Sequence, residues 1–430
     1  MRRRIVIAPD SFKGTLTARD AALALAAGWK VECPDDEVLV VPQADGGEGT
    51  LDAIAQALPA AQWRRARVSG PHEGTSPVHN ARWLMLPDHH AVIELAECCG
   101  ITLLPRGPDG GAALAPLSAS TRAVGEAIAA ALDSGALQIT LALGGSASTD
   151  GGLGALSALG LRGLQAGATE TDATHARATH AGAINARALH ADAADPVGVE
   201  LEPGGGALER LHSIDTRGLR AAPPHGMTLL TDTTAVLTGP HGAAALFAPQ
   251  KGASAAQVAR LNRGLTRAAE VAGGDEHRQP GSGAAGGTAW GFARYWGASI
   301  RSGADAVAEL TDLDAALDGA DLVITGEGQL DATSHTGKVV GAIAERAHAA
   351  GVTVAVVAGQ CTLARDKSGA VDAAAAGLGL VLTLADLAGS PAAAVREPER
   401  WLRAAGAELA RLLFTLDEND SKIMRKDTDL

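Results

Sequence analysis

Aromatic side chains are scarce: one tyrosine, four phenylalanines and six tryptophans, 3% of 430 residues. Proteins that grip single-stranded nucleic acid stack its bases on aromatic platforms, so this composition argues against that class. Positive charge is also short. Thirty-six Lys and Arg face 49 Asp and Glu, and the net charge of −13 speaks against a polyanion-binding surface. Only four cysteines occur, Cys33, Cys98, Cys99 and Cys361. They form no CxxC pair, and adjacent Cys98 and Cys99 are poorly placed to bridge each other, which fits buried thiols in a reducing compartment. No stretch reaches the roughly 18 apolar residues of a membrane span. Met1-Arg2-Arg3-Arg4 starts like a signal peptide, but the apolar run ends at Pro9-Asp10, too short for an h-region. A cytoplasmic, soluble protein without nucleic-acid or membrane partners is expected. Catalytic signatures are missing too. Lys338 follows Gly337, but Val339 stands where a Walker A motif needs Ser or Thr, and neither HExxH nor GxSxG occurs.

What is present is apolar and glycine-rich. Hydrophobic residues make up 46% of the chain, enough to exclude wholesale disorder, and 53 glycines call for many tight turns. At roughly 150 residues per domain the length predicts two or three domains. Short apolar runs at Arg4–Ala8, Glu37–Val41, Gln138–Leu143, Asp321–Thr325, Val352–Ala358 and Leu378–Leu384 read as buried strands. Helical stretches separate most of them, including one begun by the capping-box-like Thr17-Ala-Arg-Asp20. That alternation predicts an α/β fold with a mostly parallel sheet covered by helices on both faces. The middle differs: Ala81–Leu86 and Ala91–Glu97 flank Pro87-Asp88-His89-His90 like a hairpin. The expected division is residues 1–80 with 290–416 as one discontinuous α/β domain, and 81–289 as an inserted domain of mixed topology. Residues 169–197 carry a tandem repeat, Ala-Thr-His-Ala-Arg then Ala-Thr-His-Ala-Gly. His175, His180 and His190 there resemble a metal cluster, but the Ala/Thr-rich composition favours a solvated surface insertion. The charged, aperiodic residues 417–430 are expected to form a flexible tail.

Four segments that follow strands combine glycine with chemically able side chains: Ala8-Pro-Asp-Ser-Phe-Lys-Gly14, Pro42-Gln-Ala-Asp-Gly-Gly-Glu-Gly-Thr50, Gly144-Gly-Ser-Ala-Ser-Thr-Asp-Gly-Gly152 and Thr325-Gly-Glu-Gly-Gln-Leu-Asp331. Each alone is ordinary turn chemistry. Together, at the carboxyl ends of parallel strands, they lie where open sheets bind ligands. Glycine lets backbone N–H groups approach a phosphate, and a following helix N-terminus adds favourable partial charge. The segment holding Gly144, Gly145, Ser146, Ser148, Thr149 and Asp150 fits that role best. The carboxylates of Asp45, Glu48, Asp150, Glu327 and Asp331 suit Mg²⁺, and Lys13 and Lys338 suit phosphoryl oxygens. These are the parts of a phosphoryl-transfer site. Gly281-Ser-Gly-Ala-Ala-Gly286 matches GxGxxG, yet it follows Gln279-Pro280 rather than a strand, so it fails as a Rossmann fingerprint.

Those four segments, with Gly239-Pro-His-Gly-Ala-Ala-Ala-Leu-Phe-Ala-Pro-Gln-Lys-Gly252 and Pro280-Gly-Ser-Gly-Ala-Ala-Gly-Gly287, resemble the bacterial glycerate kinase family of glyoxylate and galactarate catabolism, in the family's order. The resemblance implies ATP-dependent, Mg²⁺-assisted phosphorylation of D-glycerate to 2-phosphoglycerate. It also implies a Rossmann-like domain built from both chain ends and an active site in the cleft between domains. The small-molecule partners would be glycerate and ATP; a homodimer is compatible with the sequence. Asp45 is the expected general base or orienter of the glycerate hydroxyl, with Glu48, Lys13 and Asp10 beside it. Ser11, Gly144, Gly145, Ser146, Ser148, Asp150, Asp232, Lys251, Gly283, Glu327 and Lys338 are expected to bind substrate or nucleotide, and Asp331 with Glu327 a metal. His335 is expected to be a loop donor.

Each has a plainer reading. Asp45 and Glu48 also suit the charge of a helix N-terminus. Asp150 equally suits an Asx-turn, Ser11 its own turn, and the lysines the solvated surface. The chain departs from the family at 232–236, where Asp232 is followed by Thr233, Thr234, Ala235 and Val236 in place of a common Asp-x-Asp-Asn-Pro. That leaves three alternatives: phosphorylation at the 3-position or of another small hydroxy acid, a non-catalytic ligand-binding regulator, and a metal-dependent hydrolase using the same carboxylates.

Overall fold

Val, Ile and Leu runs short enough to be covered on both faces pair here as parallel strands. The computed structural model describes residues 2–427 except 13, 73, 108–109, 167–197, 332–333, 335–337 and 364–377. Strands β1 (Arg4–Ile7) and β2 (Glu37–Val40) come from the start of the chain. A second group pairs within a mixed sheet: β3 (Gln62–Val68), β4 (His79–Met85), β5 (His90–Glu94), β6 (Gln138–Ala142), β10 (Met227–Thr231) and β11 (Ser299–Ser302). Between its members lie the short antiparallel strands β7 (Arg162–Ala166), β8 (Gly198–Glu200) and β9 (Leu211–Asp215). The chain end supplies β12 (Leu322–Leu330), β13 (Thr353–Cys361) and β14 (Leu380–Thr383).

The first sheet is wholly parallel, in the order β14-β13-β12-β1-β2. It therefore joins the two chain ends, and its strand order reverses between β1 and β12, the position where open α/β sheets bind ligands. Two apolar clusters cover its faces: one holds Val6, Val323 and Val356 against the Val339–Ala350 helix, the other Ile5, Ile7 and Ile324 against Leu25, Trp29 and Leu402. The second sheet runs β11-β10-β6-β5-β4-β3, parallel from β11 to β5 and antiparallel through β4 and β3. The expected hairpin is present, with Leu84 opposite Val92 and His89 in the left-handed region at its turn. Helix Thr50–Ala57 packs Leu51 and Ile54 on this sheet. Helix Gly303–Leu310 belongs to both cores: Ala304 and Ala308 pack with the first sheet, Ala306 and Val307 with the second.

Several expectations shift. β3 and β11 belong to the mixed sheet, so strand pairing starts before residue 80 and continues past 290. Hydrophobic patterning does not reveal which sheet a strand joins. Thr325–Asp331, read as a loop, is mostly strand, because β13 runs alongside with partners as far as Leu330 and Cys361. The Pro398–Asp427 helix runs through most of the segment expected to be a flexible tail. That segment has several good helix formers (Glu418, Lys422, Met424, Arg425, Lys426) among its aspartates, and a helix anchored at its base elongates more readily than it nucleates. The 169–197 insertion lies wholly outside the described residues. Among the described residues no helix is long and apolar enough to cross a membrane.

The Ala18–Glu32 helix starts as its sequence says, the Thr17 hydroxyl accepting the Asp20 N–H at 3.1 Å. It packs against the Pro398–Asp427 helix at near-contact distance. A Cβ added at Gly28 would lie 1.9 Å from the Arg403 carbonyl oxygen. Gly28→Ala must therefore push the helices apart. Thermal denaturation should show a loss of about 1–3 kcal/mol, the usual cost of overpacking; an unchanged Tm would mean the helices separate freely.

Candidate active site

The loops that follow β1, β2, β6 and β10, together with the end of β12, converge on two adjoining cavities. The first, of 480 Å³, is lined by Asp10, Ser11, Asp45, Glu327, Gln329, Asp331 and Lys338, with Phe12, Leu384, Pro391, Ala394 and Val395 as an apolar wall. The second, of 560 Å³, is lined by Asp45, Gly46, Gly47, Glu48, Gly144, Gly145, Ser146, Thr231, Asp232, Thr233 and Lys251, with Phe247, Ala284 and Ala285 among its other walls. Asp45 lines both.

Asp10 follows β1, is 8% exposed and accepts the Ser11 N–H at 2.6 Å. Its own N–H donates to the Gly326 carbonyl at 2.8 Å, which fixes it beside the strand that carries Glu327. Lys338 occupies the N-cap position of the Val339–Ala350 helix without a side-chain capping bond. The first cavity thus holds a carboxylate set with one lysine, next to the strand-order reversal. Lys13 and His335 lie outside the described residues.

The loop after β2 is held main chain to main chain. Asp45 accepts the Gly47 N–H at 3.0 Å. The Gly144 N–H donates to the Gly46 carbonyl at 3.2 Å, and a Cβ on Gly144 would lie 2.4 Å from the Gly47 Cα. Beneath it, a Cβ on Gly303 would fall 1.8 Å from the Asp45 carbonyl oxygen. No side chain fits at either place. At its far end the loop enters the Thr50–Ala57 helix, whose N-cap, Gly49, offers no side-chain cap. Glu94, at the end of β5 and 3% exposed, accepts the N–H groups of Gly49 at 3.1 Å and Leu51 at 3.3 Å instead. Burial pushes its carboxyl up to about 8, against the pull of those two donors.

Lys251 forms the cationic wall of the second cavity although it is only 3% exposed. Its ammonium donates to Ser146 Oγ at 2.7 Å and to the Ser148 carbonyl at 2.5 Å. An ammonium has three donors, so the pair pins the glycine-rich loop and leaves one direction for a ligand. Burial lowers the Lys251 pKa to about 8, partly offset by Cys99 and Asp150. Opposite, Ala285 has φ 51° and is followed by two left-handed glycines, so the Ala284–Trp296 helix is kinked at its start, where it meets the cavity.

Asp10, Ser11, Asp45, Glu327, Asp331 and Lys338 come together in one cavity; Asp45, Glu48, Gly144, Gly145, Ser146, Asp232 and Lys251 in the other. Three expected residues lie elsewhere. Asp150 is 1% exposed and accepts the Thr121 N–H at 2.8 Å, the Thr121 hydroxyl at 2.9 Å and the Gly152 N–H at 3.2 Å. It is the Asx-type knot of the glycine-rich turn. The Ser148 side chain is fully buried, and only its carbonyl serves the site, through Lys251. Gly283 packs instead on the 232–236 segment, donating to the Ala235 carbonyl at 2.9 Å. That segment's departure is therefore mainly a matter of turn shape: Asp232 and Thr233 line the cavity, whereas Thr234, Ala235 and Val236 do not. Gln329 and Phe247 lie inside segments the sequence singled out but were not picked from them, and Thr231 and Glu94 end strands without a glycine-bearing motif to mark them. Among the described residues no group of three or more His, Cys, Asp or Glu is arranged to hold a metal ion.

The fold belongs to a recognisable class. The glycerate kinase family model matches residues 5–190 and 176–414. The sequence is 36% identical over 370 residues to a glycerate kinase of Bacillus subtilis (strain 168), covering 85% of this chain and 86% of the relative. It is also 36% identical over 342 residues to the glycerate 2-kinase of Escherichia coli (strain K12), covering 78% and 80%. A solved structure assigned as glycerate kinase 2 from Salmonella typhimurium LT2 superposes with a TM-score of 0.74 at 32% identity, covering 97% of this chain and all of that one. The protein is a kinase, and it belongs to the glycerate kinase family.

If the Lys251 ammonium contacts an anionic ligand, activity must fall as pH rises through about 8, where that charge is lost. A pH series should show this alkaline limb in the wild type. Lys251→Met should lower kcat/KM by about 10–100-fold, the scale of a lost charge-assisted bond, and abolish the limb. An identical alkaline limb in the variant would assign the titration to another group.

Proposed function

We propose that the protein transfers the γ-phosphoryl group of ATP to the 2-hydroxyl of D-glycerate. The observation that carries this reading is that Asp45 lines both cavities. A group on a shared wall can meet a hydroxyl on one side and a phosphoryl group on the other, as in-line transfer requires. The glycine, serine and lysine lining of the second cavity suits phosphoryl oxygens, because Gly144 and Gly145 bare the backbone and Lys251 supplies charge. The carboxylates and Lys338 of the first suit glycerate, whose two hydroxyls donate and whose carboxylate seeks a cation.

The step is then simple to write. The glycerate 2-oxygen attacks the γ-phosphorus as Asp45 takes its proton. The bond from that phosphorus to the β-γ bridging oxygen breaks, and ADP leaves with the bridging electrons. Lys251 faces the charge on the phosphoryl group, and Asp10 and Lys338 hold the acceptor. Glu327 and Asp331 are hard oxygen donors and would hold Mg²⁺, which neutralises phosphate charge when bound. Mg²⁺ usually takes only one or two protein carboxylates alongside phosphates and water, so the lack of a three-residue cluster among the described residues is compatible with it.

The test is ADP formation with ATP, Mg²⁺ and D-glycerate, with phosphorus NMR of the product. Turnover should require glycerate, yield a 2-phosphate, and fall about 10²–10⁴-fold in Asp45→Asn, the range for a lost general base. A 3-phosphate product would move the acceptor hydroxyl. ATP binding without glycerate-dependent turnover in folded protein would sink the reading.

A further inference from the structure

Glu94 does not line either cavity, and its buried carboxylate has no part in the transfer step above. It nevertheless holds the loop that carries Asp45. Between Asp45 and the Thr50–Ala57 helix stand Gly46, Gly47 and Gly49 with Glu48. Three glycines in five residues give this segment wide conformational freedom. Its first half is trapped by the close approaches to Gly144 and Gly303. Its second half has no local cap, since Gly49 carries no side chain and sits at φ 93°. The two orphan N–H groups at this end, of Gly49 and Leu51, go to the two carboxylate oxygens of Glu94. The carboxyl group of a β5 residue thus does the work an N-cap side chain would do, its two oxygens accepting both N–H groups, and it does so from a strand of the other sheet.

We propose that Glu94 is a positioning residue, clamping the Gly49 and Leu51 amides so that Asp45 is held on the wall between the two cavities. This rests on the reading of Asp45 as the proton acceptor. Losing the clamp leaves Lys251, Ser146, Asp10 and Lys338, the groups assigned to hold the two substrates, in place and loosens the 45–49 loop that carries the proton acceptor. The effect should therefore appear in kcat and not in KM.

Glu94→Gln tests this, since the amide keeps the shape but turns N–H donors toward one of the amides. Steady-state kinetics should show kcat lower by about 10–100-fold, the scale of a modest misplacement at a reacting centre, with both KM values unchanged. Hydrogen exchange should quicken in residues 45–51 and stay unchanged elsewhere. Arg82→Ala is the control. Arg82 ties Asp52 of the same helix to Glu97 from outside, so its loss should lower Tm and leave kcat alone. Should Glu94→Gln not fold, Glu94→Asp, too short to reach both amides, is read in the same way. Wild-type kcat, or kcat and KM changing together with a general loss of protection, would overturn the proposal. The exchange arm does not need activity. If the wild type makes no ADP with glycerate, the kinase reading fails, while faster exchange confined to 45–51 still supports the clamp and unaltered exchange refutes it.

Discussion

Backbone packed on backbone around Asp45 is the constraint on which the rest of the structure depends. Gly144 lies against Gly47, and Gly303 lies under the Asp45 carbonyl, each too close for a side chain. These contacts bring a loop from the parallel sheet against loops and a helix start from the mixed sheet. The two cavities share a wall because of them. Any Cβ there would separate the strand ends and with them the two halves of the site.

The joint is stiffened from below. Helix Gly303–Leu310 gives alanines to one core and Ala306 with Val307 to the other. Gln43, 1% exposed, donates to Thr311 Oγ1 at 2.8 Å just past that helix. Interiors packed in this way have low compressibility, so a reacting group carried on the joint keeps its place.

Three buried ionisable side chains hold the loops of the site, each with hydrogen bonds that offset its desolvation. Lys251 pins the glycine-rich loop through Ser146 and the Ser148 carbonyl. Asp150 knots the same loop to Thr121. Glu94 caps the helix after the Asp45 loop. Only Lys251 of the three lines either of the two cavities of the site. Burial of ionisable groups here is chiefly a means of fixing backbone, and Asp150, for which the sequence suited a ligand contact and an Asx-turn equally, makes its hydrogen bonds within the frame.

The sequence by itself determined the α/β class, the hairpin at residues 81–97, the cap at Thr17 and four glycine-bearing segments with the right chemistry, because these follow from local periodicity and turn preference. Asp10, Asp45, Glu327 and Lys338 stood out for the same reason: they come after the short apolar runs that read as strands. Tertiary structure alone decided that β3 and β11 join the mixed sheet and that Thr325–Leu330 stays a strand beside β13. It also decided that Asp150 and Ser148 turn inward and that Glu94 reaches across to another element's amides. Each of these depends on which surface a residue meets at long sequence separation. A one-dimensional pattern records what a side chain is able to do; the packing of the two sheets settles what it touches.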